Sequence, residues 1–95
     1  MIAVAAKVIA KKGKEAEVKK LLIALVANTV KEDGCLSYRF HESADDSCEF
    51  VSYENWRDKA SESKHLASPH LAELLARASE LFARPPEIKY YREIA

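Results

Sequence analysis

The stretch CEFVSYENW, residues 48–56, decides the fold predicted for this chain. In a β-strand, successive side chains point to opposite faces, so Val51 and Tyr53 are expected to lie opposite Phe50 and Trp56. Both faces of this strand are therefore apolar. Because a strand that is apolar on both faces needs cover on both faces, we expect helices on one side of the sheet and a second protein surface on the other.

A second strand pattern precedes this stretch. The segment LSYRFH, residues 36–41, alternates apolar and polar side chains. Leu36, Tyr38 and Phe40 are therefore predicted on one face of a strand that pairs with the first stretch as a hairpin. The remaining patterns predict strands at 2–10 and 87–94 and helices at 15–32, 58–66 and 69–83.

The order of these segments is β-α-β-β-α-β, with the second helix broken at Ser68. This order predicts a single α+β domain over residues 1–95, with a ferredoxin-like fold, a four-stranded antiparallel sheet and both helices on one face. Nothing else in the chain could cover the other apolar face of the sheet. A homodimer with its two sheets packed face to face is the simplest solution.

Composition limits the classes of partner. Fifteen basic and fifteen acidic residues balance, and no basic cluster with interleaved aromatic residues occurs, which argues against nucleic-acid binding. The apolar N-terminal run is too short to span a bilayer, and its charges follow it instead of preceding it, so neither a membrane span nor a signal sequence is expected. Two cysteines, Cys35 and Cys48, then indicate reduced thiols and a cytoplasmic location.

The stretch HLASPHL, residues 65–71, holds two of the three histidines. Ser68 is a good N-cap and Pro69 fits a first helical turn, so His65 is predicted to end one helix and His70 to begin the next. A metal-binding pair on one helix needs a spacing of three or four residues, whereas these histidines are five apart. We therefore expect no metal site, with His65 a candidate for acid–base chemistry and His70 a structural or surface residue.

Three other polar or aromatic side chains have open roles. Burying Glu54 unpaired beside Trp56 would be costly, so Glu54 is either a general base or a structural carboxylate held by hydrogen bonds. Trp56 is either the wall of a ligand pocket, where its ring stacks on a flat molecule, or part of the core. His41, at the end of a strand, is open between a binding role and a surface role.

Four segments together carry a family resemblance. They are KKGKEAEV (residues 11–18), EDGCLSYRF (32–40), FVSYENW (50–56) and HLASPHL (65–71). With these motifs in this order and spacing, the chain resembles the antibiotic biosynthesis monooxygenase domain family nearly from end to end. One departure is Asp33, where many relatives have proline before the glycine. The resemblance implies a ferredoxin-like fold and a homodimer that forms a dimeric α/β barrel.

The family includes cofactor-independent quinol or anthrone monooxygenases, haem-degrading enzymes and an isomerase of a phosphorylated signalling sugar. The haem branch uses an asparagine on the first strand, where this chain has only Ala3, Ala5 and Ala6. It also uses a tryptophan at the position of His65 and an iron-ligating histidine at the position of Leu75. The resemblance therefore argues against haem degradation.

The branch that oxidises quinols and anthrones matches in part. Its tryptophan after the third strand corresponds to Trp56, and its asparagine four residues earlier corresponds to Ser52. Its arginine on the last helix has only a near neighbour here, Arg77. The isomerase branch also has a histidine at the position of His65, so that residue alone does not discriminate between the branches.

We therefore predict a monooxygenase that oxidises quinol- or anthrone-type aromatic substrates with O₂ and needs no cofactor. His65 is the predicted base, Trp56 lines the substrate slot, and Glu54 orients its partners or serves as an alternative base. The predicted substrate contacts are Ser52, Tyr38, Arg77 and His41.

Two alternatives to this prediction stay open. One is an isomerase or degradative enzyme for a small metabolite, whose phosphate, if present, would need cationic partners such as Arg39, Arg57 and Arg77. The other is a non-catalytic ligand-binding or structural dimer, in which the histidines and the tryptophan only pack.

Overall fold

The computed structural model describes residues 1–95, and its elements follow the predicted order. The ferredoxin-like α+β fold is confirmed. Strands are β1 (Ile2–Ile9), β2 (Cys35–Glu42), β3 (Glu49–Trp56) and β4 (Glu87–Tyr91); helices are α1 (Glu15–Thr29), α2 (Lys59–Leu66), α3 (Pro69–Ala76) and α4 (Ala78–Leu81). None of the helices is both long enough and apolar enough to cross a membrane.

The four strands form one antiparallel sheet in the order β2-β3-β1-β4. In the central pair, Val4 lies opposite Glu54 and Val8 lies opposite Phe50. The inner face of the sheet is the face that packs against the helices, and α1 covers it with an apolar stripe. That stripe consists of Val18, Leu22 and Leu25. The alternation predicted for β3 is confirmed: Ser52, Glu54 and Trp56 are buried on the inner face.

Strand β2 departs from simple alternation at its start. Cys35 pairs with Trp56 but Ser37 pairs with Asn55, so Leu36 is an extra residue in a β-bulge. The bulge turns Leu36 outward, where it is 56% exposed, while Cys35 packs against the core. The prediction that Leu36 shares a face with Tyr38 is therefore wrong, because the bulge shifts the alternation by one residue.

The second helical region has one more break than predicted. Ser68 caps α3 by accepting a hydrogen bond from Leu71 N–H (3.4 Å), and Pro69 takes the first turn, as predicted. A second break at Arg77, however, separates α3 from α4. The chain then leaves its helix to reach the end of β1, where Phe82 forms a β-bridge with Ala10. The prediction of one helix through residue 83 is wrong because this contact with the sheet overrides local helical periodicity.

The outer face of the sheet, opposite the helices, is uncovered within one chain. Its centre is a shallow hollow lined by side chains from the three adjacent strands, and four of these side chains are polar or charged, namely Lys7, Asn55, Glu87 and Lys89. The side chains that point to this face are Ala3, Ala5, Lys7, Val51, Tyr53, Asn55, Glu87, Lys89 and Tyr91. Tyr53 is 59% exposed there.

Candidate active site

A cavity of about 240 Å³ lies between the inner face of the sheet and helices α1, α2 and α3. Most of its lining is apolar, with residues such as Val4, Leu25, Leu71 and Ile88 forming the walls. The polar or ionisable side chains that reach it are Tyr38, Glu54, Glu62 and His65. No lysine or arginine lines this cavity.

His65 stands in the last turn of α2 and is 3% exposed. Its ring packs 4.8 Å from the ring of Trp56 and 5.2 Å from that of Tyr38, measured between centroids. His65 Nδ1 lies 2.8 Å from a carboxylate oxygen of Glu32. Because a carboxylate accepts hydrogen bonds, this contact assigns the proton of the neutral ring to Nδ1. Nε2 is then left with its lone pair and with no protein partner, as a proton acceptor requires.

Tyr38 stands on β2 beside His65 and is buried. Its hydroxyl takes no part in the hydrogen bonds of the site. Burial, followed by the negative charges of Glu54 and Glu32, raises the pKa of Tyr38 far above its ordinary value. The hydroxyl therefore keeps its proton at physiological pH and can donate a hydrogen bond to a molecule in the cavity.

Glu54 has both carboxylate oxygens occupied. The Ser52 hydroxyl donates to Glu54 Oε2 (2.6 Å) and the Trp56 indole N–H donates to Oε1 (3.0 Å). Ser52 Oγ in turn accepts a hydrogen bond from the Ala6 backbone N–H (2.9 Å). This arrangement favours the structural carboxylate over the general base, with a hydroxyl and an indole as its hydrogen-bond donors. Glu54 thus holds the Trp56 ring in place beside His65. Trp56 itself is 0% exposed and does not line the cavity, so the structure places it in the core and not at the wall of the predicted substrate slot.

Glu62 is a cavity residue that the sequence analysis missed. It is 2% exposed and lies one helical turn before His65 on α2. Lys59 Nζ contacts its Oε1 (2.8 Å), and the Tyr90 hydroxyl donates to its Oε2 (2.9 Å). The contact with Tyr90 ties the edge strand β4 to α2. The i, i+3 spacing between Glu62 and His65 was the sequence signal that could have revealed it.

Glu32 and His70 were also missed as neighbours of His65. Glu32 follows α1, and its Oε2 accepts hydrogen bonds from both His65 Nδ1 and His70 Nε2, the second at 2.6 Å. The spacing of five does not keep the histidines apart, since their ring centroids lie 6.2 Å from each other where the break at Ser68 turns α3 back toward α2. His70 is half-buried and paired with Glu32, as the structural alternative describes. No local pattern relates Glu32 to the histidines, which lie 33 and 38 residues further along the chain.

Two predicted substrate contacts do not reach the cavity. Arg77 pairs with Glu17 (2.6 Å) and Glu80 (3.0 Å) on the outside of the helical layer. The His41 ring packs 4.9 Å from that of Tyr53, on the outer face of the sheet. Of the four predicted contacts, the structure places only Tyr38 directly on the cavity, while Ser52 acts through Glu54.

Comparisons of this chain with known sequences and structures point to one protein family. The family model described as "Antibiotic biosynthesis monooxygenase" matches residues 1–77. An uncharacterised protein of Synechocystis is 32% identical over 96% of this chain, although the chain spans only 62% of that protein's length. The Mycobacterium tuberculosis protein Rv0793, whose name as a monooxygenase is provisional, is 36% identical over 88% of this chain and 82% of its own length.

Solved structures agree with these sequence matches. The structure of Rv0793 covers 99% of this chain and 95% of its own at 32% identity, with a TM-score of 0.90. The crystal structure of PA3566 from Pseudomonas aeruginosa covers 99% of this chain and 94% of its own at 29% identity, with a TM-score of 0.93. The fold, the matched span and the sequence identities together establish that this chain belongs to the antibiotic biosynthesis monooxygenase family.

Proposed function

We propose that the protein is a cofactor-independent monooxygenase that oxidises a small quinol-type aromatic substrate with O₂ in the cavity beside His65. The observation that carries this proposal is the pair of free polar atoms in an apolar cavity. His65 and Tyr38 both line the cavity, and neither His65 Nε2 nor the Tyr38 hydroxyl has a hydrogen-bond partner in the protein. Together they form a proton acceptor next to a hydrogen-bond donor.

The proposed chemistry begins with proton transfer. His65 Nε2 removes a proton from the substrate, and the Glu32 carboxylate stabilises the resulting imidazolium through Nδ1–H. The Tyr38 hydroxyl donates to the oxygen on which negative charge develops. The electron-rich anion then reduces O₂ and forms a carbon-bound hydroperoxide after protonation. Loss of water from the hydroperoxide converts the reacting ring carbon, which is a CH₂ group in the keto tautomer of the substrate, to a carbonyl, with one oxygen atom in the product and the other in water.

The cavity favours the smaller substrates of this class. Its volume of about 240 Å³ is below the roughly 300–1,000 Å³ common for drug-sized ligands. One or two fused rings therefore fit better than a larger anthrone. The absence of a lysine or arginine in its lining argues against a phosphorylated metabolite, and an open cavity beside His65 argues against a purely structural role.

The test is O₂ consumption with a panel of reduced quinols and small anthrones. Loss of the base in His65→Ala is expected to lower kcat by about 100- to 10,000-fold. Loss of the donor in Tyr38→Phe is expected to lower kcat by about 100-fold. The matched control is Tyr53→Phe, which removes the same hydroxyl from the outer face of the sheet and is expected to retain activity.

Full activity in a folded His65→Ala variant would contradict the proposed role of this residue. No O₂ uptake above autoxidation, for any quinol or anthrone, would contradict the monooxygenase itself.

We propose further that the working form is a cytoplasmic homodimer in which the outer faces of two sheets pack together. The support is the uncovered hollow around Tyr53, which a second copy of the same face would bury. Both cysteines are unpaired, which is compatible with a reducing compartment.

A further inference from the structure

The Glu32–His65–His70 cluster brings three metal-binding side chains to one point. One ligand atom from each of them lies within 4.8 Å of the other two. The residues come from three separate segments: the turn after α1, the last turn of α2 and the first turn of α3. Tertiary packing therefore supplies the convergence that the spacing of the histidines along the chain does not.

Surrounding contacts hold the cluster in place. Trp56 and Tyr38 pack against the His65 ring, while the Ser68 cap fixes the start of α3, from which His70 projects. The cluster is closed on the cavity side, where the His65 side chain is 4% exposed. It is open toward solvent, where the side chains of Glu32 and His70 are 16% and 22% exposed. An ion could therefore enter from solvent without unfolding the site.

We propose that Glu32, His65 and His70 bind one Zn²⁺ ion. Two imidazoles and one carboxylate form the N₂O donor set that zinc accepts, whereas Mg²⁺ and Ca²⁺ prefer ligands that are all oxygen. The ion would bind His65 Nδ1, His70 Nε2 and the Glu32 carboxylate, replacing the two hydrogen bonds that now join these groups. A water molecule from the solvent side would complete the coordination.

Zinc at this position would inhibit the enzyme, and this half of the inference rests on the proposed function. A neutral imidazole has one N–H and one lone pair. If Nδ1 gives its lone pair to zinc, the ring proton must stand on Nε2, the ring nitrogen that has no protein partner. The atom proposed to accept the substrate proton is then already protonated. Zinc is thus an inhibitor here and takes no part in catalysis.

Zinc binding is measured by isothermal titration calorimetry with tag-free protein. We expect one Zn²⁺ per chain, with no comparable binding of Mg²⁺. Outer-sphere partners of metals typically contribute 10- to 100-fold in affinity, so removal of a direct ligand in His70→Ala or Glu32→Gln should weaken binding by at least about 100-fold. His41→Ala, which removes the histidine outside the cluster, and Cys35→Ser, which removes the nearby thiol, should bind zinc like the wild type.

Absence of saturable zinc binding would overturn the inference. So would binding that survives in His70→Ala and Glu32→Gln, or binding that is lost equally in the His41→Ala control. Thermal denaturation of each variant separates loss of a ligand from loss of the fold.

Inhibition is measured separately, as O₂ uptake with and without Zn²⁺ at the concentration that saturates the site. Wild-type activity should fall and return on addition of EDTA, whereas zinc should not change the activity of His70→Ala. Undiminished activity of the zinc-saturated wild type would overturn the inhibitory role. If no substrate is turned over at all, the proposed function fails, while the calorimetric test of the zinc site still stands.

Discussion

The two faces of the sheet use the same strands in different ways. On the inner face, Glu54 and Trp56 are buried and hydrogen-bonded to each other. One residue away, Tyr53 lies on the outer face and is more than half exposed. The inner face therefore belongs to the core, and the Tyr38 hydroxyl, which has no protein partner, stands on a residue that lines the cavity. The outer face is uncovered within one chain and mixes apolar with charged side chains, and the homodimer proposed above would cover it.

The strongest test of this difference is removal of Trp56. The ring is 0% exposed, so Trp56→Ala is expected to lower the free energy of unfolding by about 3–5 kcal/mol. Ile23→Ala, on the exposed side of α1, should change it by about 0.5 kcal/mol or less. Urea denaturation at one fixed protein concentration measures both. Equal effects in the two variants would show that the inner face is not the core of this fold.

A smaller effect is expected at Glu54. Glu54→Ala leaves the Trp56 indole N–H and the Ser52 hydroxyl buried without their acceptor, which should lower the free energy of unfolding by about 2 kcal/mol. Glu54→Gln keeps one acceptor oxygen and should be less destabilising. The same urea measurement, combined with tryptophan fluorescence of the native state, checks both. A stable Glu54→Ala variant that loses only activity would instead favour a catalytic role for this carboxylate.

The smallest effect concerns the outer face. In the proposed homodimer, Tyr53→Glu would bury one carboxylate from each copy at the interface, a desolvation cost that remains even with Arg39 opposite it on β2, and dissociation should become at least about tenfold easier, about 1.4 kcal/mol. Light scattering across a dilution series measures this, with Ile23→Glu, on the helical side, as the control. A wild-type protein that stays monomeric at all concentrations would remove the second-copy explanation of the outer face.

Local patterns predicted much of this structure. Alternation in β3 placed Ser52, Glu54 and Trp56 on the buried face, and Ser68-Pro69 fixed the start of α3. Such features depend on neighbouring residues, which the sequence displays directly. The errors occurred where distant contacts prevail over local preference. The bulge at Leu36 depends on pairing with β3, and the early end of α3 depends on the contact of the following segment with β1.

The residues of the candidate site also fall into those that the sequence could predict and those that only the tertiary structure places. The sequence by itself determined the order of the elements, the inward side of β3 and the choice of His65 as the candidate base. Only the tertiary structure decided that Glu32 meets both His65 and His70, that the Tyr38 hydroxyl is left free, and that Arg77 pairs with glutamates away from the cavity. The physical reason is the distance along the chain over which each effect acts. Periodicity and capping act over a few residues, whereas the meeting of side chains more than 30 residues apart depends on strand register and helix packing, which no local pattern encodes.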